Sequence, residues 1–236
     1  MNDLTDFHTH ILPDFDDGSR SEEESLAMLR QEWQDGVRRV VLTPHFYPWR
    51  DTPERFLEQR AHAMERLQQA AAGEAELPAL YLGAEVAYFR GMSESEALKA
   101  LTVNGSRYIL VEPPVGPWNA QVYEELEQIH AKQGLIPIVA HIDRYISRLT
   151  VRRIISRMME LPVILQANAG AFLRRGEAAM LLRLAASGAV RLLGSDCHDL
   201  TERAPNLGQA AQVICQKLGS SRLEDMDTFG QSLLNK

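Results

Sequence analysis

Runs of apolar, β-branched-rich sequence alternate with helical patterns along this chain, and the alternation constrains its fold more than any other feature. Nearly continuous apolar strands are typical of parallel sheets in which both faces are buried. Seven strand-and-helix units therefore predict an α/β fold, a distorted TIM-like (β/α)7 barrel formed by residues 1–236 as one domain. An open doubly wound sheet is the alternative, but the sequence has neither a glycine-rich dinucleotide fingerprint nor a Walker-type loop.

Turn and capping residues place most of the element boundaries. Ser21 and Glu24 have the spacing of a capping box, which opens a helix that Gly36 ends. The predicted strands are residues 4–7, 37–43, 79–86, 107–112, 135–141, 162–168 and 189–196. Further helices are predicted at about residues 53–72, 94–100, 120–132, 150–159, 178–187 and 207–218, followed by a short tail helix.

Composition restricts the partners and the cellular compartment. The net charge of −7 argues against a nucleic-acid partner, since proteins that bind nucleic acids are usually basic. Two cysteines, Cys197 and Cys215, do not make a disulfide framework. The N-terminus lacks the pattern of a signal peptide, and no apolar run approaches the roughly 18 residues that a membrane span needs. We therefore expect a cytoplasmic protein without membrane insertion, and the sequence leaves its oligomeric state open.

Residue types that bind metal ions stand at the ends of successive predicted strands. His8 and His10 are two residues apart, so in a strand both imidazoles face the same way, and Asp196 and His198 repeat that spacing. The other candidates at strand ends are His45, Glu85, Glu112, His141 and Asn168. Because active sites of parallel barrels form where the strands end, we expect these residues to converge on one pocket.

The donor types indicate which ions such a pocket binds. Imidazole and carboxylate groups without an obvious thiolate favour manganese, iron or zinc over magnesium or calcium. One zinc-type site takes three or four protein ligands, so a set this large predicts two or three ions. Each residue also has an ordinary structural explanation when taken alone, such as a glutamate paired with arginine or a hydrogen-bonded core histidine.

Several neighbouring residues remain ambiguous at this level. The acidic run after His10 is either a solvated turn or part of the site, and its members are Asp14, Asp16 and Asp17. The two histidines within predicted helices, His62 and His130, are expected on the surface. Cys197 and Arg203 have the C-x5-R spacing of cysteine-dependent tyrosine phosphatases. That segment has no glycine to close on phosphate, and its acidic residues would raise the thiol pKa, so we reject cysteine catalysis.

The chain resembles the polymerase-and-histidinol-phosphatase (PHP) superfamily, and within it the bacterial metal-dependent protein-tyrosine phosphatases linked to capsule and exopolysaccharide synthesis. The matching stretches lie between about residues 6 and 206 and are DFHTHILPDFDDGS, VVLTPHFYP, LGAEVAY, YILVE, PIVAHIDRY, LQANAGAF and LLGSDCHDLTERAPN. Asp143 stands where that family often has glutamate, and Cys197 where it often has methionine. Neither position is an expected ligand, so neither departure affects the predicted site.

The resemblance implies a seven-stranded distorted barrel with three metal ions, with manganese as the first expectation and iron or zinc as alternatives. The implied ligand sets are His8, His10, Glu85 and Asp196 for one ion, Glu85, Glu112 and His141 for a second, and Asp17, His45 and His198 for a third. Asp14 and Asp16 are then not direct ligands. Arg144 and Arg203 match the phosphate-binding arginines of the family.

The implied activity is hydrolysis of phosphotyrosine in a protein, and the expected partner is the tail of a bacterial tyrosine kinase. Phe46, Tyr47 and Trp49 are predicted either to pack against the substrate ring or to fix their own loop. One alternative is a PHP phosphoesterase that acts on a small molecule such as histidinol phosphate, and a nuclease is disfavoured by the acidic charge. A non-catalytic metal-binding regulator that docks a tyrosine kinase is the alternative from a different class.

Overall fold

Parallel strands alternate with helices throughout the computed structural model, which describes residues 3–116, 118–145 and 151–235. The predicted α/β class is confirmed. The strands in these ranges are β1 (Leu4–Thr9), β2 (Val37–Leu42), β3 (His45–Phe46), β4 (Ala79–Leu82), β5 (Glu85–Ala87), β6 (Tyr108–Glu112), β7 (Ile136–Val139), β8 (Ile164–Asn168) and β9 (Val190–Gly194). The α-helices are α1 (Glu22–Gln34), α2 (Pro53–Ala70), α3 (Ala120–Gln133), α4 (Val151–Met158), α5 (Ala169–Leu173), α6 (Arg175–Ala186), α7 (Leu207–Leu218) and α8 (Ser220–Leu234).

The strands pair in two parallel sheets. One has the order β1-β2-β4 and the other the order β3-β5-β6-β7-β8-β9. The chain after β9 meets β1 only through an isolated parallel bridge between Thr9 and Cys197. The described residues therefore form no closed barrel, and the predicted seven-stranded distorted barrel is not confirmed at that level of detail.

The chain passes from one sheet to the other at two places, and the second of them interrupts a predicted strand. The strand predicted at residues 37–43 ends at Leu42, and Pro44, which has no N–H to donate, separates β2 from β3. The strand predicted at residues 79–86 is broken at Gly83, whose N–H donates to the carbonyl of Leu42 at 2.8 Å. The Glu85 N–H donates to the carbonyl of Pro44 at 3.0 Å. These bonds carry the chain into the second sheet with His45 and Glu85 as register partners.

Helix boundaries agree with the predicted caps in most places. The Ser21 side chain accepts a hydrogen bond from the Glu24 N–H at 3.3 Å, as an N-cap does. The Glu24 carboxylate accepts from the Arg20 N–H at 2.8 Å rather than from Ser21, so the capping box is only half formed. The short helix predicted at 94–100 is present as 3₁₀ helix rather than α-helix, at Met92–Glu94 and Glu96–Leu101. The first residue of the predicted helix at 150–159, Thr150, lies outside the described residues.

The last helix is longer than the predicted tail helix and packs on the sheet. Leu233 and Leu234 of α8 belong to a buried cluster with Phe7, Leu110 and Leu192. The carbonyl of Leu234 accepts a hydrogen bond from Asn104, which precedes β6, so the helix ends beside the amino ends of the strands. In the described ranges, no helix has both the length and the apolar character that a membrane crossing requires.

Candidate metal centre

The carboxyl ends of the strands carry the predicted metal ligands to one buried pocket. The first group consists of four residues. His8 lies in β1 and His10 directly follows that strand, and both approach Glu85 and Asp196. The His8 and His10 Nε2 atoms are 3.2 Å apart, and they lie 3.1 and 3.3 Å from the Glu85 Oε2 atom. The Asp196 Oδ1 atom is 3.7 and 3.6 Å from the same two nitrogens. Four ligands on a tetrahedron about 2.1 Å from a central ion are separated by about 3.4 Å, so this spacing fits one ion.

The second predicted group is only partly assembled. The His141 Nε2 atom is 2.6 Å from the Glu85 Oε1 atom but 4.0 Å from the Glu112 Oε1 atom. The Glu112 Oε1 atom is instead 2.6 Å from the Arg144 Nη1 atom. Glu85 therefore lies between the first group and His141, as the resemblance implies for a shared ligand, while Glu112 pairs with an arginine.

The third predicted group lies at the outer rim and contains one more histidine than expected. The Asp17 Oδ1 atom is 3.5 Å from both the His45 Nε2 atom and the His198 Nε2 atom. The Asp17 side chain is 65% exposed, so this group faces the pocket entrance. The His10 ring lies 4.0 Å from the His198 ring, centroid to centroid, and His10 joins these three residues within ligand distance. His10 therefore lies between the first and third groups.

Unsatisfied atoms at the centre fit bound cations. Several buried atoms of the predicted ligands have no hydrogen-bond partner among the described residues, namely His8 Nδ1, His45 Nδ1, Glu85 Oε2, Asp196 Oδ1 and His198 Nε2. A buried polar atom without a partner is costly, and buried carboxylates need a cation. Metal ligands bring oxygen and nitrogen atoms close together without hydrogen bonds between them, and these atoms are arranged in that way. The residues present therefore fit the implied metal ions.

Hydrogen bonds to the Nδ1 atoms set the histidine tautomers for metal binding. His10 Nδ1 donates to Asp16 Oδ2 at 2.7 Å, and His198 Nδ1 donates to the carbonyl of Asp196 at 2.9 Å. His141 Nδ1 donates to Asn168 Oδ1 at 3.0 Å. Each bond holds a proton on Nδ1, so Nε2 is the atom that faces the pocket and would bind an ion when the imidazole is neutral, which is the usual arrangement of a metal-binding histidine. Asn168, a candidate ligand in the sequence, thus supports the ligands rather than joining them.

Asp16 is fixed as a supporting residue in the same way. Burial alone would raise its pKa, but the charge of His10 holds the pKa well below the usual range. Its two oxygens also accept from the Gly18 N–H at 3.0 Å and the His45 N–H at 3.0 Å. The exclusion of Asp16 from the ligands was only implied by resemblance, and the contacts give it a physical reason.

The charges within the pocket are strongly interdependent. Burial opposes ionisation of Asp196, but the charges of His8 and His141 lower its pKa to about 2. Burial and the charge of His10 lower the pKa of His198 to about 4, so this imidazole is neutral near pH 7. A neutral imidazole beside an ionised carboxylate is the form in which both groups bind a metal ion.

Two ligands adopt a backbone conformation that side chains rarely take. His141 has a φ of 55° and Asp196 a φ of 56°, both in the left-handed region. Histidine and aspartate tolerate this region better than most residues, yet non-glycine residues there are uncommon. Both lie two positions beyond the last residue of a strand, His141 after β7 and Asp196 after β9.

A second set of buried acids lies behind the first metal group. Asp6 is fully buried and accepts hydrogen bonds from the His8 and Ser195 N–H groups, both at 3.0 Å. It thereby fixes β1 against the end of β9, next to His8 and Asp196. Glu32 of α1 is also fully buried, and burial together with the charge of Asp6 raises its pKa well above the usual range. The two carboxyls are therefore stable as a pair only when a proton stays on Glu32.

Replacement of Glu32 by glutamine is expected to flatten the pH dependence of stability. Because the pKa of Glu32 is raised in the folded state, its contribution is fully present below the unfolded-state pKa and is lost as pH rises toward the folded-state pKa. Over that window the wild type loses up to about 1.4 kcal/mol per pH unit from this group. Thermal denaturation at pH 5 and pH 8 with excess manganese checks this: the variant should gain stability relative to the wild type at pH 8. An equal difference at both pH values would contradict a protonated Glu32.

The other predicted residues are placed as follows. Arg203 lies at the pocket edge with its Nη2 atom 2.8 Å from Asp196 Oδ1, and the Arg144 Nη2 atom is 3.9 Å from Asp196 Oδ2. Both guanidinium groups therefore border the predicted metal ligands.

Cys197 is fully buried, and burial raises the pKa of its thiol well above the usual range, which agrees with the rejection of cysteine catalysis. His62 is exposed as expected, whereas His130 is half-buried and donates from Nδ1 to the Leu135 carbonyl at 3.2 Å.

The aromatic residues after β3 have different surroundings. Phe46 is buried in the core against Phe56, which for this residue favours the second alternative, a structural role, over contact with the substrate ring. Tyr47 stacks on the His45 ring with centroids 5.0 Å apart, and Trp49 packs on Tyr47 while remaining 66% exposed. The last two form an aromatic edge beside the third metal group.

Known proteins resemble this chain along almost its whole length. It is 28% identical to the tyrosine-protein phosphatase CpsB of Streptococcus pneumoniae over 233 residues, which is 94% of each chain. It is 25% identical to the tyrosine-protein phosphatase YwqE of Bacillus subtilis over 227 residues, which is 92% of this chain and 86% of that relative.

The fold comparison gives the same relatives. A chain from the crystal structures of Bacillus subtilis YwqE and Streptococcus pneumoniae CpsB, described as metal-dependent tyrosine phosphatases, superposes with a TM-score of 0.85 and 23% identity. The superposition covers 98% of this chain and 94% of that one. The sequence profile of the family described as capsular polysaccharide synthesis, CpsB/CapC, matches residues 4–230. The chain therefore belongs to the CpsB/CapC family of capsular polysaccharide synthesis proteins.

Proposed function

We propose that this chain is a metal-dependent protein-tyrosine phosphatase, which hydrolyses the phosphate monoester of phosphotyrosine. The observation that carries the proposal is the convergence of nine histidine and carboxylate ligands with two arginines at the carboxyl ends of the strands. Ligands without arginines would suit a structural metal site, and arginines without ligands would suit simple anion binding. The combination suits a phosphate ester, whose charge needs several cations around it. The names of the curated CpsB and YwqE relatives support the same activity.

Three divalent ions are proposed, with manganese as the first expectation and iron or zinc as alternatives. The proposed ligands are His8, His10, Glu85 and Asp196 for one ion, Glu85, Glu112 and His141 for another, and Asp17, His45 and His198 for the third. Imidazole and carboxylate donors support these metals. The sequence motifs support the proposed membership in the PHP superfamily. We also propose that the two sheets form one interrupted barrel of seven units, which the hydrogen bonds between the end of β1 and the chain after β9 support.

Bound ions of this kind supply Lewis-acid polarisation and a nucleophile at neutral pH. The chain itself supplies charge and position. Arg144 and Arg203 are proposed to leave Glu112 and Asp196 and bind the non-bridging phosphate oxygens, since a guanidinium binds phosphate through two parallel N–H groups. Glu112 is thereby released to act as a ligand. Tyr47 and Trp49 are proposed to contact the substrate ring, and the phenol of tyrosine, with pKa about 10, is a moderate leaving group.

The proposed substrate is a phosphotyrosine protein, with the tail of a bacterial tyrosine kinase as the expected partner. Support comes from the family, whose description is capsular polysaccharide synthesis, and from the open rim of the pocket. The exposed Asp17 and Trp49 place the third metal group at the surface, where a phosphorylated side chain on a polypeptide reaches it.

Hydrolysis of a phosphotyrosyl peptide by the purified chain tests the proposal. Activity is measured as prepared, after chelation, and after addition of manganese, with release of phosphate as the readout. We expect activity to be lost with the chelator and restored by manganese. Histidinol phosphate serves as the matched small-molecule substrate. Faster turnover of histidinol phosphate would move the assignment to a small-molecule phosphoesterase, and no turnover of either substrate with full metal loading would favour a binding role.

A further inference from the structure

A side pocket of about 360 Å³ opens directly beside the proposed metal centre and contains a third arginine. Arg144 and Arg203 form the side of this pocket nearest Asp196. Arg174, between α5 and α6, forms another side. The sequence motifs gave no role to Arg174, so its position in this pocket is unexplained by the proposed chemistry.

Arg174 is held in place by neighbours that are not ligands. Its Nε and Nη2 atoms donate to the Glu177 carboxylate at 2.9 and 2.6 Å. The Nη2 atom is also 3.8 Å from the Asp143 carboxylate, which in turn accepts from the Asn168 N–H at 2.8 Å. The Nη1 atom has no partner among the described residues. It lies 3.8 Å from the position that a Cβ atom at Gly170 would take, so Gly170 borders this end of the arginine.

The charges around the pocket favour an anionic occupant. The arginines face three acidic residues, Asp143, Asp196 and Glu202. Asp196 is a proposed metal ligand, and its charge is consumed by a bound ion. Asp143 is buried, and its carboxylate already accepts the Asn168 N–H. Glu202 is exposed on the rim, so once an ion holds Asp196 the charged groups lining the interior are the three arginines and Asp143, while Glu177, the partner of Arg174, does not line the pocket.

Arg174 differs from the other two arginines in its acidic partners. Arg144 and Arg203 lie within 3.9 and 2.8 Å of Asp196, a proposed metal ligand, whereas Arg174 pairs with Glu177 and Asp143, which are not proposed ligands. A group bound by Arg174 would therefore lie beside the reacting phosphate, and a substrate polypeptide can supply both groups.

We propose that Arg174 determines substrate specificity by binding a second anionic group of the substrate polypeptide, a carboxylate or a second phosphate, close in sequence to the phosphotyrosine. The proposal rests on the proposed phosphatase function and names the sequence context that this site prefers. It predicts that acidic residues or a second phosphotyrosine near the cleaved group increase the apparent affinity.

A peptide panel tests this role with matched variants. Phosphotyrosyl peptides carry glutamate, glutamine or lysine on either side of the phosphotyrosine, one further peptide carries a second phosphotyrosine, and p-nitrophenyl phosphate has no flanking residue. The variants are Arg174→Ala, Arg174→Glu and, as the control, Arg175→Ala, since Arg175 is an exposed neighbour outside the pocket. Melting temperatures verify that all variants are folded.

Arg174→Ala is expected to raise KM about tenfold for the glutamate peptides, with kcat unchanged and with no effect on the glutamine peptides or p-nitrophenyl phosphate. Arg174→Glu should reverse the preference toward lysine peptides, and Arg175→Ala should match the wild type. Comparison of the glutamate and doubly phosphorylated peptides identifies which anion is preferred.

Equal losses on every substrate, or no loss on the acidic peptides, would overturn the specificity role. These outcomes differ from failure of the proposed function itself, because in that case the wild-type chain hydrolyses none of the phosphotyrosyl peptides.

Discussion

Replacement of Glu85 by glutamine is expected to lower kcat/KM for a phosphotyrosyl peptide by about 1,000-fold or more. Its carboxylate lies within 3.3 Å of nitrogen atoms of four histidines, His8, His10, His45 and His141. The charges of His8 and His141 hold the pKa of Glu85 well below the usual range even though it is fully buried. Glutamine has the same shape but neither the charge nor the second acceptor oxygen, so the two ions proposed to share this residue would lose their common ligand.

The metal content provides a readout that is independent of activity. Elemental analysis of the Glu85→Gln variant is expected to find about one ion per chain instead of three, because the rim ligands Asp17, His45 and His198 remain intact. Glu58→Gln, on the exposed surface of α2, is the matched control and should bind the full set. A Glu85→Gln variant with wild-type turnover and three ions would contradict the central position of this carboxylate.

Removal of the metal ions is expected to lower the melting temperature by roughly 15 °C. An ion present at 100 times its dissociation constant adds about 2.7 kcal/mol if it binds only the folded chain. For a chain of this length that energy corresponds to roughly 5 °C per ion, from the average entropy of unfolding per residue. Without ions the buried carboxylate of Glu85 depends on histidines for compensation and that of Asp196 on histidines and Arg203, and unsatisfied atoms remain in the pocket.

Differential scanning calorimetry before and after chelation measures this shift. Addition of manganese should restore the original transition, and the Glu85→Gln variant should respond with about a third of the wild-type change. Elemental analysis verifies that the metal has been removed completely. If the melting temperature then does not change, bound ions at the histidine and carboxylate cluster do not stabilise the fold.

The sequence predicted the α/β class and most helices because these depend on local patterns. Ser21 and the apolar runs fix α1 and the strands whatever the tertiary context. The end of the second strand before Pro44 was predicted, whereas the break at Gly83 was not, because the apolar pattern continues across that glycine. The division into two sheets depends on where a strand changes partners, and hydrophobic periodicity contains no information on partners.

The composition of the site was predicted better than its pairing. Residues two apart in a strand face the same way, so the sequence alone predicted that His8 and His10 lie together, as they do. The contact between Glu112 and Arg144, and the position of His10 between two groups, depend on distances across the pocket. Arg174 has no motif at all, since an exposed arginine between two helices is common, and only the three-dimensional pocket distinguishes it.

The left-handed turns at His141 and Asp196 set a limit on improvement of this protein by directed evolution for heat resistance. Each non-glycine residue in that conformation costs about 1 kcal/mol, which glycine would recover. A selection that rewards only thermal survival in metal-poor medium would therefore enrich glycine at both positions and eliminate two of the proposed ligands. Libraries intended to yield durable catalysts need a functional screen in every round, because at these two positions the more stable backbone and the working enzyme require different residues.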